Sequence, residues 1–87
     1  MGARSIGGNY WGNITTNSWQ LNSDGLYQMT IPNDEHGLGY TCHVNITRLD
    51  GGVYKPVALH YEISTSGDIT VYSKTAFNGI YYVVSGV

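Results

Sequence analysis

The chain has 87 residues with 41% hydrophobic, 13% aromatic and only 11% charged content, which allows one domain around one small core. Four basic residues against six acidic ones leave a net charge of −2, and without a Lys/Arg cluster the electrostatic footprint of a nucleic-acid binder is missing. The longest apolar run, Ile80 to Val84, is far below the ~20 residues of a membrane-spanning helix, and a lone Cys42 excludes an internal disulfide or a Cys-based zinc site.

Eight tyrosines and twelve glycines, with few of the residues that favour helices, make this a β-rich composition. Residues 1–13 read as a Gly/aromatic N-terminal arm. No apolar stretch follows Arg4, so no secretory leader is expected. In Gly7-Gly-Asn-Tyr-Trp-Gly-Asn13 the residues that favour turns outnumber strand formers, which predicts an arm rather than a strand. Tyr10 and Trp11 within it are candidates for a subunit contact, and Trp11 also for a ligand.

Residues 14–87 read as an all-β module, a small antiparallel sandwich of about six to seven short strands separated by turn clusters. Asn17 to Leu21 is the first strand candidate, with Trp19 placed in the core. After the turn Asn22-Ser-Asp-Gly25, the stretch Leu26 to Ile31 puts Tyr27, Met29 and Ile31 on one face. His36, in the loop closed by Gly37, reads as a surface residue. From Tyr40 to Leu49, Cys42, Val44 and Ile46 face one way and Thr41, His43, Asn45 and Thr47 the other.

Gly51-Gly52 is a hairpin signal, and the returning strand, Val57 to Ser64, alternates with Val57, Leu59, Tyr61 and Ile63 inward. This register sets Ile46 opposite Val57, Val44 opposite Leu59 and Cys42 opposite Tyr61. It also sets His43 opposite His60, a weak candidate pair for a metal. Pro56 lacks a ladder donor and belongs on an edge or at a bulge. Ile69 to Tyr72 and Ile80 to Val84 complete the strands. The last is apolar on both alternating sets, so it is expected either at the centre of a sheet or against another chain, with Tyr81 and Val83 at a subunit interface.

No catalytic constellation emerges, and no cofactor is expected. The carboxylates lie mostly at turns, where Asp bonds its own backbone, and Cys42 falls on the apolar alternation of a core thiol. What remains is a surplus of aromatic side chains with little charge, the composition of a sugar-binding surface or of a subunit interface. Tyr54, just past the hairpin turn, and Tyr72, outward on its strand, are with Trp11 the candidates for saccharide contact.

The run Thr15-Thr-Asn-Ser-Trp19, then Asp24 to Ile31, then Asn33-Asp-Glu-His36, with Ser66-Gly-Asp-Ile-Thr-Val71 and a short last strand after Asn78-Gly79, resembles small β-sandwich modules of tailed-bacteriophage tail-fibre and baseplate receptor-binding proteins. The resemblance spans roughly Ile14 to Val84 and leaves the preceding arm outside it. It implies a homotrimeric module on the virion, facing the exterior, that binds host-surface saccharide or serves as a structural spacer. The expectation from sequence is thus a non-enzymatic, oligomerising tail-fibre module that contributes to saccharide attachment. Its rivals are a monomeric carbohydrate-binding module of a secreted glycoside hydrolase and a ligand-free decoration domain of a virion.

Overall fold

A computed structural model describes residues 9–86 and the backbone of residues 4–6. In chain order the described elements are β1 (Arg4–Ile6), β2 (Asn9–Ile14), a 3-10 turn (Thr16–Ser18), β3 (Gln20–Leu21), β4 (Tyr27–Ile31), the one-turn helix α1 (Asn33–His36), β5 (Cys42–Asp50), β6 (Val53–Val57), β7 (Tyr61–Ile63), β8 (Ile69–Ser73) and β9 (Gly79–Ser85). The described strands form two antiparallel sheets, ordered β1-β2-β9-β5-β6 and β3-β4-β8-β7. The small antiparallel sandwich read from the strand and turn pattern is therefore the observed fold.

Alternation builds the core. Cys42, Val44 and Ile46 of β5, Tyr81 and Val83 of β9, and Tyr10 and Ile14 of β2 point inward from one sheet, against Met29, Ile31, Ile69 and Val71 of the other. Trp19 and Phe77 close one end, their rings 5.0 Å apart, and the Trp19 Nε1–H donates to the Phe77 carbonyl at 3.0 Å. This last bond satisfies the indole's single polar atom, which a buried tryptophan requires.

Gly51 and Gly52 both adopt positive φ, 60° and 80°, between the paired residues Asp50 and Val53. Two successive positive-φ residues make the tight turn whose twist matches the flanking strands. The turn sets Ile46 opposite Val57, as the sequence reading has it. Beyond Val57 the reading fails, because β6 ends and the chain crosses to the other sheet, where Tyr61–Ile63 pairs with β8 rather than with β5. Val44 and Cys42 thus have no strand partners in Leu59 and Tyr61. The Val44 N–H is met instead by the Tyr61 hydroxyl at 3.4 Å, a side-chain cap on what is otherwise an open strand edge. Pro56 sits on edge strand β6, where a missing donor costs no ladder bond.

Three further expectations change. Asn9–Ile14 is a strand, paired along its whole length with β9, so this part of the segment read as an arm belongs to the sheet; residues 1–3, 7 and 8 lie outside the described residues. Its Gly12 is required by packing rather than by a turn, since a Cβ there would run into the Tyr81 phenol. Asn17 is in the 3-10 turn, and only Gln20–Leu21 of the first predicted strand pairs, with β4. Last, His36 is buried, only 2% exposed. Its Nδ1 accepts the Leu38 N–H at 3.0 Å, which leaves the proton on Nε2 to donate to the Gly67 carbonyl at 2.6 Å, so the bonds select one neutral tautomer. Asp68 accepts the Asn33 N–H and Asn33 Oδ1 accepts the Gly39 N–H. Together these bonds pin the α1 loop to the turn that joins β7 and β8.

Candidate binding faces

Each sheet turns one side to the core and one outward, and the two outward faces differ in chemistry. On the four-stranded sheet the register lines up Gln20 with Gln28 and Gln28 with Tyr72, and the Tyr72 N–H extends the row by donating to the His60 carbonyl at 2.9 Å. Two residues along, a parallel row holds Thr30, Thr70 and Glu62. In a pleated strand residues two apart share a face, so both rows stand on one surface, roughly 7 Å apart. Amide, hydroxyl, imidazole and carboxylate groups thus cover a sheet face with little bulky apolar surface.

Its focus is a three-residue cluster. The His60 imidazole stacks on the Tyr72 ring with centroids 5.6 Å apart and planes 28° from parallel. Glu62 holds both rings, its Oε2 lying 3.1 Å from His60 Nε2 and its Oε1 accepting the Tyr72 hydroxyl at 3.4 Å. Partial desolvation first, and then the Glu62 charge and hydrogen bond with a contribution from Asp24, push the Tyr72 phenol above its ordinary range, so the hydroxyl stays protonated and able to donate. A cleft of about 380 Å³ opens beside the pair, lined by Leu26, Ala58, Leu59, His60, Tyr72 and Lys74 among others.

The outward face of the five-stranded sheet mixes larger aromatic residues with Asn, His and Thr, and β1 sets Arg4 in register opposite Trp11. Trp11 stands directly across from Tyr82, and Tyr82 from Asn45; the adjoining row runs Asn13, Ile80, Thr47 and Pro56. Past the end of the core the β5–β6 hairpin continues the face with Leu49 opposite Tyr54, 38% and 49% exposed. Directly opposed side chains in an antiparallel pair sit about 5 Å apart at Cβ, so Trp11 and Tyr82 are neighbours on this face.

The residues singled out from sequence therefore separate. Trp11 and Tyr54 share the five-stranded face, whereas Tyr72 is on the far side of the sandwich. Tyr10, Tyr81 and Val83, expected at a subunit interface, are 6%, 7% and 0% exposed within the single chain. They fill its own core because β9 is the central strand of its sheet, with β2 and β5 on its two sides. Burial, and then the neighbouring Tyr10 phenol, push the Tyr81 phenol far above its ordinary range. His43 lies in the five-stranded sheet opposite Val84, whereas His60 lies in the crossover at residues 58–60 beside the four-stranded sheet, and that crossover removes the register that would have joined them. Among the described residues no three His, Cys, Asp or Glu side chains gather around a common point. Cys42 is buried, which raises its thiol pKa. Sequence reasoning missed Gln20, Gln28, Thr30, Thr70 and Tyr82 as surface-forming residues; their alternation with the core positions carries the signal, but only pairing shows which strands stand side by side.

Comparison with protein-family models, curated proteins and solved structures yields no match to this chain.

Proposed function

We propose that the protein is a non-enzymatic binding module that recognises neutral saccharide on the outward face of its four-stranded sheet. The observation that carries this reading is the Tyr72–His60 stack held by Glu62 in line with Gln28. Sugars offer rings of C–H groups that lie against an aromatic face and a fringe of hydroxyls that pair with amides and carboxylates. The cluster supplies both, on a rigid sheet with the carboxylate already bonded to the rings, so little ordering cost falls on binding. Glu62 within the site and Asp24 near it oppose an anionic sugar, which favours an uncharged one. The likeness of the sequence to tail-fibre modules is the ground for placing this activity on a virion, at the host surface.

Glycan-array screening followed by saturation-transfer NMR on the strongest neutral hit tests the reading. The wild-type chain is expected to bind with its saturation contacts at Tyr72, and Tyr72→Ala to weaken binding by about tenfold, the order of one lost ring contact. Glu62→Gln should weaken it less. Absence of binding across the array, or a Tyr72→Ala chain that binds as wild type while folded by circular dichroism, removes this function.

A further inference from the structure

β5 is nine residues long, yet β6 accompanies only Ile46 to Asp50 of it. We infer that the uncovered edge at Cys42–Asn45 docks an extended peptide segment of a partner protein, added as a strand on the line that β6 leaves. The direction of the backbone carries this. Thr41 and Leu49 turn main-chain groups to the β9 side, the first accepting from the Gly86 N–H and the second donating to the Asn78 carbonyl. Alternate positions point the other way. Ile46 thus meets Val57, whereas Val44 aims its N–H and C=O at a side where, among the described residues, no strand pairs with it. The Tyr61 hydroxyl reaches the Val44 N–H at 3.4 Å, longer than the roughly 2.7–3.2 Å of a full N–H···O bond, so it is a cap that a better acceptor displaces.

The outer strands of both sheets are guarded against such pairing. β3 has two residues and β7 three, β1 is three residues with Arg4, and β6 carries Lys55 and Pro56. Shortness, charge and proline are the devices that keep an edge from accepting a strand. Cys42-His-Val-Asn45, within the longest strand described, has none of them. Beside it lies a cavity of about 560 Å³. Val57, Leu59 and Tyr61, packed against the core, line its inner side, and Asn45, Thr47 and Tyr82 its outer one. Directly opposed residues of an antiparallel pair share a face, so the incoming residue opposite Val44 sends its side chain to Val57, Leu59 and Tyr61, and the next one along faces the Asn45 amide. None of the lining residues is charged. The edge therefore selects a neutral stretch, one apolar residue flanked by hydroxyl or amide residues, with main-chain bonds giving affinity and the pocket giving specificity.

The test uses the full chain and capped peptides acetyl-Lys-Thr-Thr-X-Thr-Thr-Lys-amide, in which X is alanine, valine, isoleucine or phenylalanine, followed by amide shifts. No sugar enters it, so its result is independent of the saccharide reading. At up to about 2 mM peptide, the valine or isoleucine member is expected to shift the amides of Cys42–Thr47 and Val57–Tyr61 and to slow exchange of the Val44 N–H. Methylating the nitrogen of X removes its bond to the Val44 carbonyl and should weaken binding by about fivefold or more. Methylating the nitrogen of the following threonine, which points to solvent, should change it by less than about twofold. Tyr61→Phe keeps the ring but removes the hydroxyl that competes for the Val44 N–H, so affinity should rise by about two- to fivefold, a gain that a merely structural Tyr61 would not give. No shift with any of the four peptides at the highest concentration, shifts confined to the four-stranded sheet, equal weakening by the two methylations, or a folded Tyr61→Phe chain that binds no more tightly would each overturn the inference.

Discussion

Replacing His36 by phenylalanine keeps a ring of similar size in the site and deletes both of its hydrogen bonds, those to the Leu38 N–H and the Gly67 carbonyl. Each partner left dry costs about 1–3 kcal/mol. Gly67 is buried and Leu38 half-buried, so the Leu38 N–H recovers some water and the sum falls near 2–4 kcal/mol. A chain of this length has a total stability of about 4–13 kcal/mol, so the loss is a large share of it. With a urea slope near 1 kcal/mol per molar, the unfolding midpoint read from tryptophan fluorescence should fall by about 2 M or more. Two further variants divide the effect. His36→Asn places an oxygen near the Nδ1 position and should retain the local bond to Leu38 while losing the tether across to Gly67. His36→Gln places an amide nitrogen near Nε2 and should retain the tether alone. The tether is the larger part, because it joins the α1 loop to the β7–β8 hairpin that carries Glu62 and Tyr72. A phenylalanine variant with a midpoint within about 0.5 M of wild type would refute the reasoning, since it would mean the two partners find replacements at no cost.

Two other outcomes are expected from the fold. The raised Tyr81 phenol stays protonated in the folded chain while it ionises near pH 10 in the unfolded one, so its contribution is fully present below about pH 10 and is lost as pH rises further, at about 1.4 kcal/mol per pH unit; urea midpoints from pH 8 to 11 should fall more gently in Tyr81→Phe, and equal slopes would show that Tyr81 ionises freely in the native state. Gly79→Ala would drive a Cβ into the Thr47 carbonyl of the neighbouring strand, where only backbone movement makes room; thermal unfolding should register a loss of about 1–3 kcal/mol, and an unchanged melting temperature would contradict the close approach of β5 and β9.

The path from the sandwich to its two faces can be followed residue by residue. β5 and β9 were legible because apolar and polar residues alternate along one, and because the other is apolar on both sides and so demanded a central place. The Gly51-Gly52 turn was legible because few residues other than glycine accept two consecutive positive φ angles. His36 was not: nothing in Asp34-Glu-His-Gly37 announces that a turn 31 residues away will close over the ring and accept its proton. Nor was β2, whose Gly, Asn and aromatic residues look like a loop until β9 lies beside it and Tyr81 fills the space over Gly12.

By itself, then, the sequence determined the class of fold, the positions of most turns, the inert setting of Cys42 and the surplus of aromatics over what one small core needs, since each of these follows from local alternation, composition or backbone preference. Only the tertiary structure decided how the aromatics are shared between core and surface. The crossover after Val57 leaves only Val57 of the predicted Val57–Ser64 strand in the five-stranded sheet and carries Tyr61–Ile63 to the other, and that division parts His43 from His60, joins His60 to Tyr72 and Glu62, and leaves Trp11 and Tyr82 on the other side. The physical reason is that alternation tells a residue's side of its own strand, whereas which strands become neighbours is settled by pairing between segments far apart in the chain, where no local preference acts.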